Sequence, residues 1–345
     1  MPGMDLGLDL GTSRIVIATP RRGILLKEPT VMAVETATDR PIAYGEEAAQ
    51  MLGRTPDSIS AVKPLERGVI ADYGHAEQLL KYFLRQVCRY KIIKPRVTVS
   101  IPSEMTEVEQ RSVLEAVYMA GARHVSLIEK AVAAAIGAGA DVTAARGCMS
   151  VHVGAGSTEV ATMALGGVVN SLSQRTGSLQ LDEAIQRHMR EVHHLIIGER
   201  MAEQAKLAIG GVIPRPGDPV FPMRGRDMLT GLPRLQEVSS SELCGAIQEP
   251  LSEMLDTVRR AMEATPPELL ADVLGDEVIL SGGGAQLYGF ADWVCEQTRT
   301  PCRLVESPEE TVALGAADSV ATLSRLAVGS YDVSRFSYHL SDNVV

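Results

Sequence analysis

The chain has 345 residues, of which 45% are hydrophobic and 22% are charged, and its net charge is −10. This length is enough for two domains of ordinary size. The acidic balance argues against general nucleic-acid binding, which needs a basic surface. No apolar run approaches the roughly 20 residues of a membrane-spanning helix, and we expect a cytoplasmic protein without a signal peptide.

The hydrophobic pattern predicts two α/β halves in succession. Strands are predicted near residues 5–10, 15–19, 24–27, 31–35, 97–101, 125–128, 149–153, 159–165, 168–173, 277–281 and 302–305. Helices are predicted near residues 75–90, 106–121, 129–139, 181–193, 199–209, 241–264, 286–298 and 310–324. Ser103 and Thr106, followed by Glu107 and Glu109, indicate the start of a helix with acidic residues at its positive end.

The first predicted strand carries Asp9 near its end, breaks at Gly11, Thr12 and Ser13, and resumes at once. This pattern predicts a β-hairpin. Glycine lets the backbone approach an anion, and the turn hydroxyls and amides can donate to phosphate oxygens. Asp9 is placed to hold the water shell of a Mg²⁺ ion. An ordinary structural hairpin remains the alternative.

Two later glycine clusters make the phosphate interpretation stronger. A second hairpin repeats the design at Gly154, Ala155, Gly156, Ser157 and Thr158. A third cluster, Gly282, Gly283 and Gly284, follows another predicted strand, where a bare backbone can lie flat against a base or ribose. Glycines are also common in ordinary turns that follow strands. Two matching hairpins nevertheless predict a duplicated unit that binds a polyphosphate from two sides.

These motifs resemble the actin/Hsp70/sugar-kinase superfamily, and within it the bacterial actin homologue MreB family. The shared stretches cover about residues 5–325. They include DLGTS at 9–13, KEPTVMAV at 27–34, GEEAAQMLGRTP at 45–56, KPRVTVSIPSEMTEVE at 94–109, GAGSTEVA at 154–161, GRDMLTGLPR at 225–234 and LSGGGAQLYG at 280–289.

The resemblance implies an actin-like fold, in which duplicated ribonuclease-H-like domains surround a nucleotide cleft and each carries a small subdomain. Domain I would span 1–140 with a subdomain at about 30–72, and a C-terminal helix at about 310–325 would pack back on it. Domain II would span 141–309 with a subdomain at about 182–245, and 326–345 would form a tail.

The resemblance also implies roles for single residues. Asp9 and Thr158 match catalytic positions, and the cofactors would be ATP or ADP with Mg²⁺. Glu203 and Lys206 match the pair that meets the ribose and the base. Because these two residues are three apart on a predicted helix and share a face, a surface ion pair is the alternative.

The sequence departs from the family pattern at the phosphate end. His152 stands where the family has Asp, Ala155 replaces the middle glycine, Lys130 replaces the Glu that orients the attacking water, and Gly177-Ser178-Leu179 replaces Gly-Gly-Asp. A charged lysine has no acceptor and cannot act as a base, but it can pair with the γ-phosphate. We therefore expect a more positive cleft, with slow or absent hydrolysis. An alignment slip of one residue, or rescue of hydrolysis by another residue, is the alternative; Glu129 is a poor substitute because it points about 100° away on a helix.

The implied function is that of a cytoskeletal protein that polymerises and helps to organise cell shape and cell-wall synthesis. Its implied partners are other copies of itself, a paralogous actin homologue, the cell-wall elongation machinery and an anionic membrane surface. Ile92 and Ile93, between basic residues, match a hydrophobic pair that dips into the bilayer in relatives; a buried strand entry is the alternative. With this contact, the protein would be a peripheral protein at the inner face of the cell membrane.

Two other function classes stay open at this stage: a sugar kinase, for which we find no sugar-pocket Asp, and an Hsp70-like chaperone, for which we find no substrate domain. The five cysteines show no CxxC spacing and are interpreted as reduced, mostly buried thiols. His188 and His193 are five residues apart, which is poor spacing for a metal site on a helix, so we expect a solvated helix face.

Overall fold

The computed structural model describes residues 4–88 and 94–326, with side chains to residue 319. Its strands are β1 (Asp5–Leu10), β2 (Arg14–Thr19), β3 (Gly23–Pro29), β4 (Met32–Glu35), β5 (Pro41–Tyr44), β6 (Ile59–Val62), β7 (Leu65–Glu66), β8 (Val69–Ile70), β9 (Arg96–Ile101), β10 (His124–Glu129), β11 (Cys148–Val153), β12 (Thr158–Ala164), β13 (Gly167–Gln174), β14 (Leu195–Ile196), β15 (Val220–Asp227), β16 (Pro233–Ser239), β17 (Val278–Ser281) and β18 (Cys302–Leu304).

The helices are α1 (Glu46–Ala49), α2 (Tyr73–Val87), α3 (Glu107–Met119), α4 (Lys130–Gly137), α5 (Ser178–Val192), α6 (Glu199–Ile209), α7 (Ser240–Ala246), α8 (Gln248–Ala264), α9 (Pro267–Gly275), α10 (Phe290–Thr298) and α11 (Thr311–Leu326). In the part of the chain that is described, none of them combines the length and apolar character needed to cross a bilayer.

Two five-stranded sheets repeat one strand order. The first runs β3-β2-β1-β9-β10 and the second runs β13-β12-β11-β17-β18. In each sheet three strands form an antiparallel meander, a fourth strand pairs in parallel with the first of these, and a fifth pairs in parallel with the fourth. The two glycine hairpins, β1–β2 and β11–β12, therefore occupy equivalent places. The repeated order confirms the predicted duplication of an α/β unit.

Helices α4 and α11 cross at very short range between these sheets. A Cβ on Gly137 would lie 2.0 Å from the carbonyl oxygen of Thr311, and a Cβ on Gly315 would lie 1.7 Å from that of Ala133. Only glycine fits such backbone contacts. Helix α11 also packs on β1, β2 and β9, so the end of the described chain lies on the first sheet.

Two small sheets lie outside the main pair. The sheet β5-β4-β6 falls within residues 30–72, and the sheet β14-β15-β16 falls within residues 182–245. The sequence analysis predicted neither β15 nor β16. Most of their side chains are exposed or half-buried, and only Met223 and Val238 are buried hydrophobic residues, so no continuous apolar face marks these strands.

Local chemistry sets several boundaries. The capping residue of α3 is Thr106 rather than Ser103: its hydroxyl accepts from the backbone N–H of Glu109, whose carboxylate accepts from the N–H of Thr106. The predicted helix 241–264 is split at Ile247, close to Pro250, which has no N–H to donate.

All five cysteines are free thiols. The expectation that most of them are buried was wrong, because only Cys244 is buried and the other four are partly exposed.

Candidate functional site

The predicted nucleotide-site residues other than Thr158 line one cavity between the two sheets. Its volume is about 280 Å³. The following predicted residues line it: Asp9, Gly11, Thr12, Ser13, Lys130, His152, Gly154, Ala155, Gly156, Ser157, Glu203, Lys206, Gly282, Gly283 and Gly284. Residues from distant parts of the chain thus meet in the cleft that the duplicated hairpins predict.

The two hairpin turns touch at the floor of the cavity. A Cβ on Gly156 would lie 2.5 Å from the hydroxyl oxygen of Thr12 and 2.8 Å from the Cα of Arg67. The hydroxyl oxygen of Thr12 also accepts the backbone N–H of Gly68 at 2.8 Å. Gly156 is therefore needed for the close approach of the two halves.

The third glycine cluster is equally constrained. Gly282 has a φ of +89°, and a Cβ there would lie 2.2 Å from the carbonyl oxygen of Val153. A Cβ on Gly284 would lie 2.5 Å from Cγ1 of Val153. The backbone after β17 consequently lies flat against the second hairpin and leaves its other face to the cavity.

Lys130 forms a buried ion pair at the cavity floor. It is the first residue of α4, directly after β10, and its Nζ lies 2.8 Å from Oδ1 of Asp9 and 3.4 Å from the carbonyl oxygen of Leu10. Ser100 donates to the same Asp9 oxygen at 2.7 Å. Lys130 is 5% exposed and Asp9 is 8% exposed. Sequence analysis assigned Lys130 to a phosphate, whereas the structure gives it a carboxylate partner.

The charge of Asp9 is stabilised by this arrangement. Burial by itself would raise the pKa of Asp9, but the positive charge and hydrogen bond of Lys130 outweigh it, with help from Ser100, and the pKa is lowered. Asp9 is therefore ionised at neutral pH. The pair carries no net charge. Because Lys130 and His152 stand where the family pattern has Glu and Asp, this part of the cleft is less negative than that pattern, in the direction that the sequence analysis expects.

His152 is neutral in this setting. It lies next to Asp9 and Lys130 in the cavity wall, and its Nδ1 is 3.1 Å from the hydroxyl oxygen of Ser281. Burial lowers the pKa of His152 to about 4, against the opposing effect of Asp9. At pH 7 the imidazole therefore adds no charge, and it offers no carboxylate to a hydrated metal ion.

Two other predicted positions face away from the cavity. Glu129 does not line it, and the hydroxyl of Ser171 donates to its Oε2 at 2.6 Å. This agrees with the expectation that Glu129 does not replace the missing water-orienting Glu. Thr158 is fully buried and donates to the carbonyl oxygen of Thr176 at 2.8 Å. Its catalytic role stays a prediction.

Glu159 was missed by the sequence analysis. It lies opposite His152 in the β11–β12 register and is 1% exposed. Burial raises the pKa of Glu159 to about 7, although hydrogen bonds from Ser157, Ser173 and the Ser103 amide and the charge of Lys130 oppose the shift. A glutamate within the otherwise uncharged strand β12 was the signal that could have identified it.

The opposite end of the cavity holds a second buried lysine. Lys206 is 8% exposed, and its Nζ lies 2.7 Å from Oδ2 of Asp182 and 3.0 Å from the carbonyl oxygen of Ser178. Burial raises the pKa of Asp182 to about 6, while Lys206 lowers it. The alternative of a surface ion pair between Glu203 and Lys206 is therefore wrong. Glu203 is exposed at the cavity wall.

An aromatic platform adjoins Lys206. The guanidinium carbon of Arg215 lies 5.1 Å from the ring centroid of Tyr288, and both residues line the cavity. Arg215 is held by donating to the carbonyl oxygens of Gly210 and Leu207. A stacked guanidinium and ring present a flat surface that suits a planar ligand. The Gly/Pro-rich composition of residues 210–223 gave no sign of it.

Removing Lys130 alone is expected to destabilise the protein more than removing the whole pair. Lys130→Met leaves the Asp9 carboxylate buried without its cation, which costs about 3–5 kcal/mol, whereas Lys130→Met with Asp9→Asn removes both charges of this pair. Urea denaturation at pH 7 measures both, with Lys94→Met as an exposed-lysine control. If both variants lost the same stability, or Lys130→Met lost none, the ion pair would not be what stabilises the floor.

Comparisons with known proteins agree with this architecture. Residues 3–328 match the family described as MreB/Mbl protein. The chain is 38% identical to the cell shape-determining protein Mbl of Bacillus cereus, covering 93% of this chain and 97% of that protein. It is 42% identical to MreB of Escherichia coli, covering 90% and 91%.

Solved structures give the same result. MreB5 of Spiroplasma citri bound to ADP superposes with a TM-score of 0.87 at 29% identity and covers 94% of this chain and 98% of that one. A MamK double helical filament matches with a TM-score of 0.77 at 20% identity, a likeness of fold, over 92% and 98%. These matches confirm the predicted actin-like fold, and the chain belongs to the MreB/Mbl family.

Proposed function

We propose that the chain binds an adenine nucleotide in the cavity between its two sheets. The observation that carries this proposal is the convergence of both glycine hairpins and the Gly282–Gly284 turn on one cleft. The hairpin amides and hydroxyls would hold the phosphates, and Glu203 and Lys206 would meet the ribose and base. MreB5 structures bound to ADP and to AMPPNP support the same ligand class.

We further propose that the nucleotide-bound chain polymerises and acts in cell shape. The named activity of the Bacillus and Escherichia relatives, cell shape determination, supports this role. A family match over nearly the whole chain favours it over a sugar kinase or a chaperone. Further copies of the chain, a paralogous homologue and the cell-wall elongation machinery are the proposed partners.

Electron microscopy tests polymerisation directly. Purified protein incubated with AMPPNP is expected to form filaments, and protein without nucleotide is expected to form fewer. Gly156→Val serves as a cleft variant, because its side chain would collide with Thr12 and Arg67 and disrupt the nucleotide site. Absence of filaments under all nucleotide conditions, from protein that binds nucleotide, would contradict a role as a homopolymer.

We propose that hydrolysis is slow because positions 130 and 152, from which the family orients water and holds metal, carry no carboxylate. The ammonium of Lys130 can only donate, and His152 is neutral and hydrogen-bonded to Ser281. The predicted Mg²⁺ fits this donor set poorly, since Oδ1 of Asp9 already accepts from Lys130 and Ser100 and the second family carboxylate is absent. In this proposal Lys130 neutralises Asp9, so that the carboxylate does not repel the phosphates.

Restoring the family residues is expected to raise the rate. Lys130→Glu together with His152→Asp supplies carboxylates for water and metal, and we expect phosphate release from ATP to rise at least about tenfold. Lys94→Glu has the same charge change as Lys130→Glu at an exposed site and is expected to leave the rate unchanged. Wild-type turnover equal to that of active MreB relatives would contradict slow hydrolysis, as would a double variant that binds ATP but is no faster.

We also propose a peripheral contact with the inner face of the cell membrane. The predicted contact residues, Ile92 and Ile93, lie outside the described residues, in the segment that joins α2 to β9. The proposal therefore depends on sequence alone: two isoleucines among Arg89, Lys91, Lys94 and Arg96 suit an anionic surface, and many copies in a filament would bind together.

Co-sedimentation with anionic liposomes tests the membrane contact. Filaments of wild-type protein are expected to pellet with the vesicles, and Ile92→Ser with Ile93→Ser is expected to reduce the bound fraction several-fold. Neutral vesicles are the control, because the basic residues contribute only at a charged surface. Equal pelleting of the wild type and the variant would exclude these isoleucines as an anchor.

A further inference from the structure

Three potential metal ligands converge at the C-terminal end of α5, away from the cleft. Nε2 of His188 lies 2.8 Å from Oε1 of Glu242, and Nε2 of His193 lies 2.5 Å from the same oxygen. All three ligand atoms lie within 4.8 Å of one another. Nothing in the nucleotide proposal uses these residues, so the convergence needs its own explanation.

The expectation of a solvated helix face was wrong because the helix ends between the two histidines. Helix α5 stops at Val192, and His193 is its C-cap, with φ −101° and ψ −3°. A five-residue spacing therefore does not separate the rings: their centroids are 5.8 Å apart and their planes make an angle of 71°. The side chains of His188 and His193 are only 21% and 18% exposed.

Glu242 is fixed in place to meet both rings. It lies in the first turn of α7, where its backbone N–H donates to the hydroxyl of Ser239, the capping residue. Its Oε1 therefore faces the space between the two imidazole nitrogens, where a shared ion would lie.

The arrangement leaves one oxygen facing two nitrogens. In the absence of an ion, each imidazole can donate its Nε2 proton to that oxygen. Ligands of a tetrahedral Zn²⁺ at about 2.0–2.1 Å lie roughly 3.3 Å apart. The carboxylate oxygen of Glu242 needs to move away from the two nitrogens by less than about 1 Å to admit an ion of this size.

We propose that His188, His193 and Glu242 form a binding site for a divalent transition ion of the Zn²⁺ class. Imidazole nitrogens favour Zn²⁺, Co²⁺, Ni²⁺ or Cu²⁺ over Mg²⁺ and Ca²⁺, which prefer oxygen ligands. The three side chains are 18% to 29% exposed, so water can occupy the remaining coordination position. The nearby cation, Arg234, donates to the carbonyl oxygen of His193 and is ion-paired with Asp227 at 2.7 Å, so its charge is balanced.

Such an ion would join α5 to α7. Helix α5 begins at Ser178, which lines the cleft, and His188 is ten residues further on, about 15 Å along the axis. The ion would thus stabilise the small sheet region without touching the nucleotide. The metal site therefore predicts that the stability of the protein depends on the metal ion even without nucleotide. This effect can be measured independently of nucleotide binding.

Titration of the full chain, freed of metal with a chelator and without nucleotide, tests the site. With Zn²⁺ in calorimetry we expect one ion per chain at this site, and with Co²⁺ we expect visible absorption of nitrogen and oxygen ligation without a thiolate charge-transfer band. The last point excludes binding by the five free cysteines. Zn²⁺, but not Mg²⁺, is expected to raise the unfolding temperature.

His188→Gln is the informative variant, because its amide still donates to Glu242 while it is a poor ligand for these ions. We expect at least about a tenfold loss of affinity and no stabilisation by Zn²⁺. His194→Asn is the matched control: His194 is the exposed neighbour at φ +49°, a conformation that Asn accepts, and it should bind as the wild type does. Equal Zn²⁺ affinity in the wild type and His188→Gln, or a purely thiolate Co²⁺ spectrum, would overturn the proposal.

Discussion

The buried contact between Asp9 and Lys130 is the interaction on which the cleft depends. It joins the end of β1 to the start of α4, and it places two opposite charges at less than 10% exposure. Burying either charge alone is costly, whereas the pair with Ser100 satisfies both. As a consequence, the part of the cavity wall formed by Asp9 and Lys130 carries no net charge. This part of the wall lies in the same cavity as the two hairpin turns that would hold phosphates.

The same principle is repeated at the other end of the cavity. Lys206 is matched there by Asp182, so each buried lysine has a buried aspartate. Both lysine ammonium groups are therefore already ion-paired within the protein. Under the proposed function, attraction for a polyphosphate would come from the amides and hydroxyls of the glycine turns and from Arg14, which lines the cavity beside the first turn.

The duplicated fold and the glycine turns of the cavity could be predicted from sequence because each depends on local patterns, whereas Lys130, His152, Glu203 and Lys206 were assigned to the cleft by resemblance to the MreB family. Alternating apolar runs and glycine turns mark the strands, and the matching hairpins indicate the repeat. The partner of Lys130 could not be predicted in this way, since Asp9 lies 121 residues away and the sequence suggested a phosphate instead. The pKa of His152 depends on burial, which only the packed structure reveals.

The histidine cluster shows a different limit of sequence reasoning. A spacing of five residues excludes a shared helix face only while the helix continues, and α5 ends before His193. The third ligand, Glu242, comes from α7 and is 49 residues from His193. Glu159 and the hairpin β15–β16 were missed for related reasons: the first is one charge in an apolar strand, and the second has no clear apolar face.

Calorimetry of ATP binding with and without Mg²⁺ tests the central claim most directly, because the claim is that Lys130 neutralises Asp9 in place of a metal ion. The account predicts that removing Mg²⁺ with a chelator changes the wild-type Kd by less than about threefold, or roughly 0.6 kcal/mol. A loss of about a hundredfold or more on Mg²⁺ removal would contradict it, since binding would then depend on the metal although Lys130 already pairs with Asp9.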